Sequence, residues 1–468
     1  MTVAYSREWN PASRTTPTRS IAIIGGGASG VLMAAHLLRN QDPGIDITIV
    51  EKRAALGRGL AYSTELADHV LNARAPNMSA FADDPNHFVR WLEARGVETG
   101  DSATYFAPRR LYGEYLGDLL HGTRDGDGSS SRLNVVGKEC VEVIPHDSRV
   151  ELRLADGSNI VADCCVLATG HDEKPGRPEV PPAPLASIYD DAPAASEPVL
   201  IIGTGLSMVD ACLSLILSGH AGPIFALSRR GLLPAVHTRT APLAISETDV
   251  PLGTDLTAFM RWFRDLIQSQ EAAGGNWRDV VDGLRPYNQL IWQSWPENAK
   301  RRFFRHMKAW WDIHRHRMAP QVHERLANAI ADNQLRVIAG RLLDIEPASE
   351  GFAARLQHRT SKLVEEIEVA RIYDCAGIIA DPAKSSNAAI RSLLEHGAAR
   401  PDRLHIGLDV SPEGALIDRD GVPSGQLYAV GPLTRGTFFE IEAVPDIRVQ
   451  CQKLAGVLVQ GSGQAAAG

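Results

Sequence analysis

Two short apolar runs in this chain each break into a glycine turn and then a helix-like stretch, and that repeated grammar leaves few folds open. Ile21-Ala22-Ile23-Ile24 leads into Gly25-Gly26-Gly27-Ala28-Ser29-Gly30, and Val199-Leu200-Ile201-Ile202 leads into Gly203-Thr204-Gly205-Leu206-Ser207-Met208. In a strand–turn–helix of this kind the glycines permit a tight turn and a close backbone approach to a pyrophosphate, whose charge the helix N-terminus stabilises. One such turn is a weak signal. Two in one chain predict two dinucleotides brought together, the arrangement in which a nicotinamide reduces a flavin. Gly25, Gly27, Ser29 and Gly30 are the expected contacts of the first site, and Gly203, Gly205 and Ser207 those of the second.

The strand after each turn indicates which nucleotide it serves. Ile45 to Val50 ends in Glu51, with Lys52 beside it, where a carboxylate can accept bonds from ribose hydroxyls. The second such strand ends in Ser228-Arg229-Arg230 with no acid. A carboxylate would repel a 2′-phosphate, whereas two guanidiniums would bind it with charge-assisted bonds. FAD is therefore expected at the first turn and NADPH at the second. The alternative for Glu51 and for the arginine pair is an ordinary charged strand end.

The repetition extends beyond the turns. Leu133-Asn134-Val135-Val136-Gly137 has a counterpart in Leu335-Arg336-Val337-Ile338-Ala339, and the closing segments Cys165-Val166-Leu167-Ala168-Thr169-Gly170-His171 and Ile372-Tyr373-Asp374-Cys375-Ala376-Gly377-Ile378 also correspond. The expected fold is α/β: two Rossmann-like dinucleotide-binding domains, each with a β-meander, and a helical Trp/Arg-rich insertion in the second. The expected boundaries are a disordered arm over 1–19, an FAD domain over 20–190 plus 379–460, an NAD(P)H domain over 196–378 with its insertion at about 253–330, and a flexible tail over 461–468. The strand Leu427-Tyr428-Ala429-Val430-Gly431 and a helix from about Ala443 to Leu458 should return to the first unit. Val141 on the first meander, Thr169 and Gly170 at its closing turn, and Gly431 are further expected FAD contacts.

Composition adds bounds. With 44% apolar and 22% charged residues and a net charge of −8, the 468-residue chain has no bias toward nucleic acid and enough length for two or three domains. No apolar run approaches the roughly 20 residues of a membrane helix. The first 19 residues lack the apolar core of a secretory signal, while their acid-poor composition leaves an organelle transit peptide open. Six cysteines show no C-x-x-C spacing, and the adjacent Cys164 and Cys165 should point to opposite faces of a strand. Buried structural thiols in a reducing cytoplasm fit that pattern better than a redox dithiol.

These fingerprints resemble the two-dinucleotide flavoprotein superfamily over nearly the whole chain. More narrowly, the sequence resembles bacterial FAD/NAD(P)-binding proteins related to flavin-dependent N-hydroxylating monooxygenases. The residues carrying that likeness are Gly57-Arg58-Gly59-Leu60-Ala61-Tyr62-Ser63, Leu71-Asn72, Met78-Ser79-Ala80, Asp84-Pro85 with His87-Phe88, Phe106-Ala107-Pro108-Arg109-Arg110 with Tyr112-Gly113, Ser228-Arg229-Arg230-Gly231, and the stretch from Gly431 to Glu440. Two departures stand out. Met208 occupies the place of a third glycine or alanine, and Gly431-Pro432 replaces the usual Gly-Asp, removing a carboxylate that would hold the ribityl chain. The F-x-G-x-x-x-H fingerprint of Baeyer–Villiger enzymes is also absent, which argues against that chemistry and leaves N- or S-oxygenation open.

The resemblance places the stretch from Gly57 to Ala80 along the flavin ring, making Arg58, Asn72, Met78 and Ser79 candidates for ring and pyrophosphate contacts, with Asn72 and Arg58 nearest the chemistry. Asn72 supplies both donor and acceptor; the alternatives are a turn residue and, for Arg58, a surface charge. His69 is a candidate acid/base group or a structural histidine. In the C-terminal loop, Pro432 cannot supply the usual carboxylate, so backbone N–H groups and Thr437 are expected near flavin O2 and N1. Arg435 adds to this, faces the substrate or is a surface cation. The segment from Phe259 to Arg317 holds six of the eight tryptophans, and Lys300 to Arg317 holds seven Lys/Arg against Asp312. It reads either as an amphipathic helix with a solvated basic side or as a cap whose cations attract NADPH or an acidic substrate. His314 and His316 have metal-like spacing, but Arg315 and Arg317 would repel a cation, and no metal is expected.

The leading expectation is an NADPH-dependent flavin monooxygenase that uses molecular oxygen, through a flavin hydroperoxide, on a nitrogen or sulfur of a small substrate. A reductase passing electrons to another acceptor, and a redox-sensing module that only binds FAD and NADPH, are the alternatives. The sequence indicates neither nucleic acid nor membrane as partner and leaves the oligomeric state open.

Overall fold

The computed structural model describes residues 19–40, 44–121, 132–172, 194–377 and 381–465. The expected arm, apart from Arg19, lies outside them. In chain order the elements are β1 (Arg19–Ile24), α1 (Ala28–Arg39), β2 (Ile45–Val50), α2 (His87–Ala94), α3 (Arg109–His121), β3 (Leu133–Val136), β4 (Cys140–Pro145), β5 (Val150–Leu154), β6 (Asn159–Ala162), β7 (Cys164–Leu167), β8 (Val199–Ile202), α4 (Leu206–Leu217) and β9 (Ile224–Ser228). Then follow α5 (Leu256–Ala272), α6 (Trp277–Leu284), α7 (Asn288–Ser294), α8 (Glu297–His306), α9 (Lys308–Arg315), α10 (Pro320–Ala331), β10 (Leu335–Ala348), β11 (Gly351–His358), β12 (Val364–Val369), β13 (Arg371–Asp374), α11 (Ala388–His396), β14 (Ala415–Ile417), β15 (Pro423–Ala429) and α12 (Val444–Ala465).

The first sheet runs β14-β15-β7-β1-β2-β3, parallel except for the β14–β15 hairpin. Its central strands are apolar along their length because helices and loops cover both faces. Cys164 and Cys165 show the consequence: the first packs with α1 and α12, the second with the opposite core under the meander. The antiparallel β4-β5-β6 meander forms its own sheet. In the second unit the strand running into the meander is not interrupted. One long strand, β10, pairs parallel with β9 at its start and antiparallel with β11 at its end, joining everything into a sheet of order β12-β11-β10-β9-β8-β13. The corresponding first-unit segment breaks between Val136 and Cys140, at Gly137-Lys138-Glu139.

Between β9 and β10 lie six helices, α5 to α10. Asp255 caps α5 by accepting from Thr257 and Ala258 N–H, and a reciprocal Asn276–Asp279 box starts α6. Their shared core joins Phe259, Phe263, Trp292, Trp295 and Phe303. The single basic amphipathic face read across Lys300 to Arg317 does not form. The helix breaks at Met307, so α8 buries Phe303 while α9 leaves Trp310 43% exposed and turns Trp311 inward. Of the expected tail over 461–468, residues 461–465 belong to α12, which continues to Ala465, and the rest lie outside the described residues. Among the described residues no helix is long and apolar enough to cross a membrane.

Two buried contacts fix the units against each other. Arg109, at the start of α3, forks onto Asp210 of α4 at 2.8 and 3.1 Å. His69 bridges Thr64 and Ser214, 2.9 and 3.0 Å away, and is fully buried, which makes it a structural histidine.

Candidate functional site

The two glycine turns have the same local geometry. Gly25 and Gly203 sit at φ +103° and +113°, and a Cβ on either would lie 2.6 Å from Ala168 O or 2.4 Å from Cys375 O. Only glycine combines that conformation with that approach. A Cβ on Gly30 would fall 1.8 Å from Gly25 O, so the first turn packs its helix directly on its strand. Met208 occupies the matching place in the second turn and is buried, which requires a wider separation there. By contrast, a Cβ on Gly27 would meet only Gly59 Cα at 3.8 Å, and one on Gly205 would meet nothing within 4 Å. The space above both helix N-termini is therefore open, which is where a pyrophosphate fits.

A cleft opens above the first turn. Gly25, Gly27, Ser29, Glu51, Lys52, Arg58, Thr169 and Gly170 line it, so eight expected residues converge there. Glu51 accepts Gly26 N–H at 2.6 Å and Arg53 N–H at 2.8 Å, which holds its carboxylate at the end of β2. Lys52 reaches Glu139 at 3.3 Å and Arg58 pairs with Glu65 at 2.7 Å. The loop carrying Arg58 is clamped to the turn through Gly57 N–H to Gly26 O at 2.8 Å. Val141 sits in the bulge of β4 next to the cleft-lining Cys140, without lining the cleft itself.

Several expected residues lie elsewhere. Met78 is core, 3% exposed, and the buried Ser79 hydroxyl donates to Phe81 O and Asp84 O. Met78 ends the short 3-10 turn Ala75–Met78 and Ser79 caps it, which points both into the protein instead of along a ring. Asn72 is exposed at the junction of the two units, its carbonyl 3.0 Å from His237 Nε2. Thr437 donates its hydroxyl to Val410 O and its N–H to Thr434 O, both at 3.1 Å, so neither donor faces the cleft. Gly431 supports the cleft from behind: at φ +73° a Cβ would stand 2.4 Å from Ser29 Oγ.

The C-terminal wall is instead Pro432, Glu442, Val444 and Ile447, where the loop enters α12. Facing Glu442 is His171, whose imidazole burial holds below its ordinary value against the pull of that carboxylate. Sequence reasoning missed Glu442 and His171, although both flank motifs it used: the Ala168-Thr169-Gly170 turn and the segment ending at Glu440.

At the second turn, Thr204 donates to Leu232 O at 2.6 Å and to Ser228 Oγ at 2.9 Å, and Gly231 N–H also reaches Ser228 Oγ. This network ends β9 in a fixed loop that presents Arg229 and Arg230. Arg229 is exposed with no ion pair among the described residues. Arg230 donates to His306 O at 3.4 Å and lies 5.9 Å over the Trp310 ring.

Two glycine-turn units, one with a cleft above its turn and one with a basic strand end, give the chain the fold of two dinucleotide-binding domains. Residues 22–172 match the family model described as FAD-NAD(P)-binding. Similar solved structures include an ornithine N-hydroxylase from Kutzneria sp. 744 (15% identity, TM-score 0.67, 95% of this chain and 100% of that one). Others are L-lysine 6-monooxygenase from Pseudomonas syringae (12%, 0.63, 95% and 99%) and thioredoxin reductase from T. acidophilum (12%, 0.53, 95% and 99%). No curated protein sequence matches the chain.

Proposed function

We propose that this chain is a cytoplasmic NADPH-dependent flavin monooxygenase that oxygenates a nitrogen or sulfur of a small substrate. The observation that carries the reading is the cleft itself, with Gly27 left open above the N-terminus of α1 and Glu51 fixed at the end of β2. FAD bound there, once reduced by NADPH, supplies the activation of molecular oxygen. The protein's part is to hold and shield. Gly25 and Gly27 admit the pyrophosphate, Glu51 and Lys52 face the ribose, Arg58 covers the loop side, and Pro432 to Ile447 close the C-terminal side. Arg229 and Arg230 receive the 2′-phosphate. Asn72, at the junction of the units, is proposed on the substrate and nicotinamide side. Arg302 and Arg305 of α8, exposed and with no ion pair among the described residues, favour a substrate bearing an acidic group.

The cysteines favour oxygenase over disulfide reductase. All six are free, and only Cys140 lines the cleft. Burial pushes its thiol up to about 12 and that of Cys165 well above the ordinary value. A dithiol that exchanges with a flavin needs a lowered thiol pKa. The overlap with the two N-hydroxylating enzymes is also better than that with the reductase.

The test follows NADPH consumption, peroxide release and incorporation of labelled oxygen over a panel of primary amines and thioethers. Label in an N- or S-oxygenated product supports the proposal. NADPH consumption without labelled product for any member would assign a reductase, and no consumption at all a ligand-binding module.

A further inference from the structure

Glu440 is unusual on three counts. It is one of four non-glycine residues with positive φ among the described residues, at +64°. Its side chain is only 6% exposed. Its carboxylate takes donors from two helices of the other unit: Asn288 Nδ2 of α7 at 2.6 Å, Arg315 Nε of α9 at 3.1 Å, and Trp311 Nε1 of α9. A non-glycine residue persists in that backbone region only where its surroundings over-determine it. Burial alone would favour the neutral acid, but the Arg315 guanidinium, with His316 and the Trp311 bond, holds the carboxyl below its usual range, so it stays charged.

The neighbouring loop is held the same way. Trp292 Nε1 donates to Gly436 O at 2.8 Å, and the Trp292 ring stacks on Phe439 at 4.6 Å and 19°. Two residues beyond Glu440, Glu442 forms part of the cleft wall. Another face of α9 meets the second nucleotide site: Trp310 lies under Arg230, and Arg230 also donates to His306 O at the end of α8. The two-turn helix α9 therefore touches the phosphate-reading arginine through Trp310 and the cleft wall through Trp311 and Arg315.

We infer that Glu440 is a positioning residue through which α9 relays occupancy of the NADPH site to the FAD cleft. This rests on the proposed assignment of the two nucleotides. A 2′-phosphate that engages Arg230 competes for the guanidinium with His306 O and the Trp310 face, which releases α9 at one end. The same helix is fastened to Glu440 through Trp311 and Arg315, so the change reaches the loop that walls the flavin. The physical requirement for such coupling is an element that both sites bias.

The experiment titrates oxidised holoenzyme with NADP⁺, which binds without reducing the flavin. It records the flavin difference spectrum while calorimetry measures binding of NADP⁺. Wild type is expected to show a saturable spectral change that follows occupancy. Glu440→Gln, with FAD retained, should bind NADP⁺ within about threefold of wild type yet lose at least half of the spectral amplitude. If that variant does not retain FAD, Trp310→Ala, altered at an exposed side chain away from the cleft, should reduce the amplitude in the same way. An undiminished amplitude in either FAD-loaded variant, or a wild type that binds NADP⁺ with no spectral change, overturns the inference and leaves the nucleotide assignment standing. A wild type that binds FAD but no NADP⁺ overturns the assignment itself and the inference with it.

Discussion

Arg109 and Asp210 form a two-point ion pair between units, at 2.8 and 3.1 Å, with side chains only 13% and 10% exposed. Arg109 also donates Nε to Val70 O at 3.1 Å, so one guanidinium ties α3, the segment at Val70 and α4 together. Removing one partner of such a pair strands a buried charge, which typically costs 3–5 kcal/mol, whereas removing both costs far less. Arg109→Leu should therefore destabilise by about 3 kcal/mol in denaturant unfolding, and Arg109→Leu with Asp210→Leu should recover at least half of that. Equal losses for the single and double variants would mean that the pair is not what holds the units.

Much of this architecture was legible in the residues. Apolar runs ending in glycine located β1, β8 and their helices because buried parallel strands and sharp turns leave strong local marks. The adjacency of Cys164 and Cys165 read correctly as two faces of one strand, since side-chain alternation is a local property. What stayed hidden depended on tertiary packing. Met78 and Ser79 lie in a motif that resembles a cofactor segment, yet a 3-10 turn rotates them into the core. The helix break at Met307 was invisible because periodicity continues across it; only the demand to bury Phe303 and Trp311 against different partners ends one helix and starts another.

Gly27 provides a test that separates ligand from fold. Its backbone is ordinary, at φ −71°, and an added Cβ would meet no protein atom closer than 3.8 Å. Gly27→Val should cost the flavin-free protein about 1 kcal/mol of unfolding stability, the loss expected when an apolar residue replaces glycine at a helix N-cap. It should nevertheless purify without the yellow cofactor, because the side chain would occupy the pyrophosphate's place. Wild-type flavin content in this variant would put the pyrophosphate elsewhere.

Acid should weaken the first unit through His36. This residue is 5% exposed, and its ring lies 3.2 Å from Ala80 O and edge-on to Phe81. Burial, the largest influence, lowers its pKa to about 4 from 6.5. The unfolded chain then binds the proton more readily, so stability is fully present above pH 6.5 and is lost as pH falls toward 4. At about 1.4 kcal/mol per pH unit the loss approaches 3 kcal/mol. His36→Gln retains a donor for Ala80 O and does not titrate; its stability should fall less between pH 6.5 and 4.5 than that of wild type. Parallel curves would assign acid sensitivity to other groups.

Thr437 was expected to donate toward flavin O2 and N1, but its hydroxyl is committed to Val410 O. Thr437→Val should therefore leave the flavin potential unchanged and cost about 1 kcal/mol of stability, the net worth of one hydrogen bond. A lowered potential, measured by dye equilibration, would show that the loop turns Thr437 into the cleft when the cofactor binds.

The arginines after β9 should set the choice between nicotinamide cofactors, and they should do so unequally. Arg229 is exposed with no ion pair among the described residues, so it is free to meet a phosphate. Arg230 must first leave His306 O and the Trp310 face, which offsets part of what it gains. A hydrogen bond to a charged group contributes about 1.5–3 kcal/mol. Arg229→Ala should thus raise the Kd for NADPH by about tenfold or more, Arg230→Ala by less, and the double variant by more than either, with NADH affinity nearly unchanged throughout. Fluorescence titration of the FAD-loaded protein with both nucleotides reads all of these numbers. Equal losses for NADPH and NADH would show that the pair contacts a part common to both, and the absence of an acid after Leu227 would then carry no information about the 2′-phosphate.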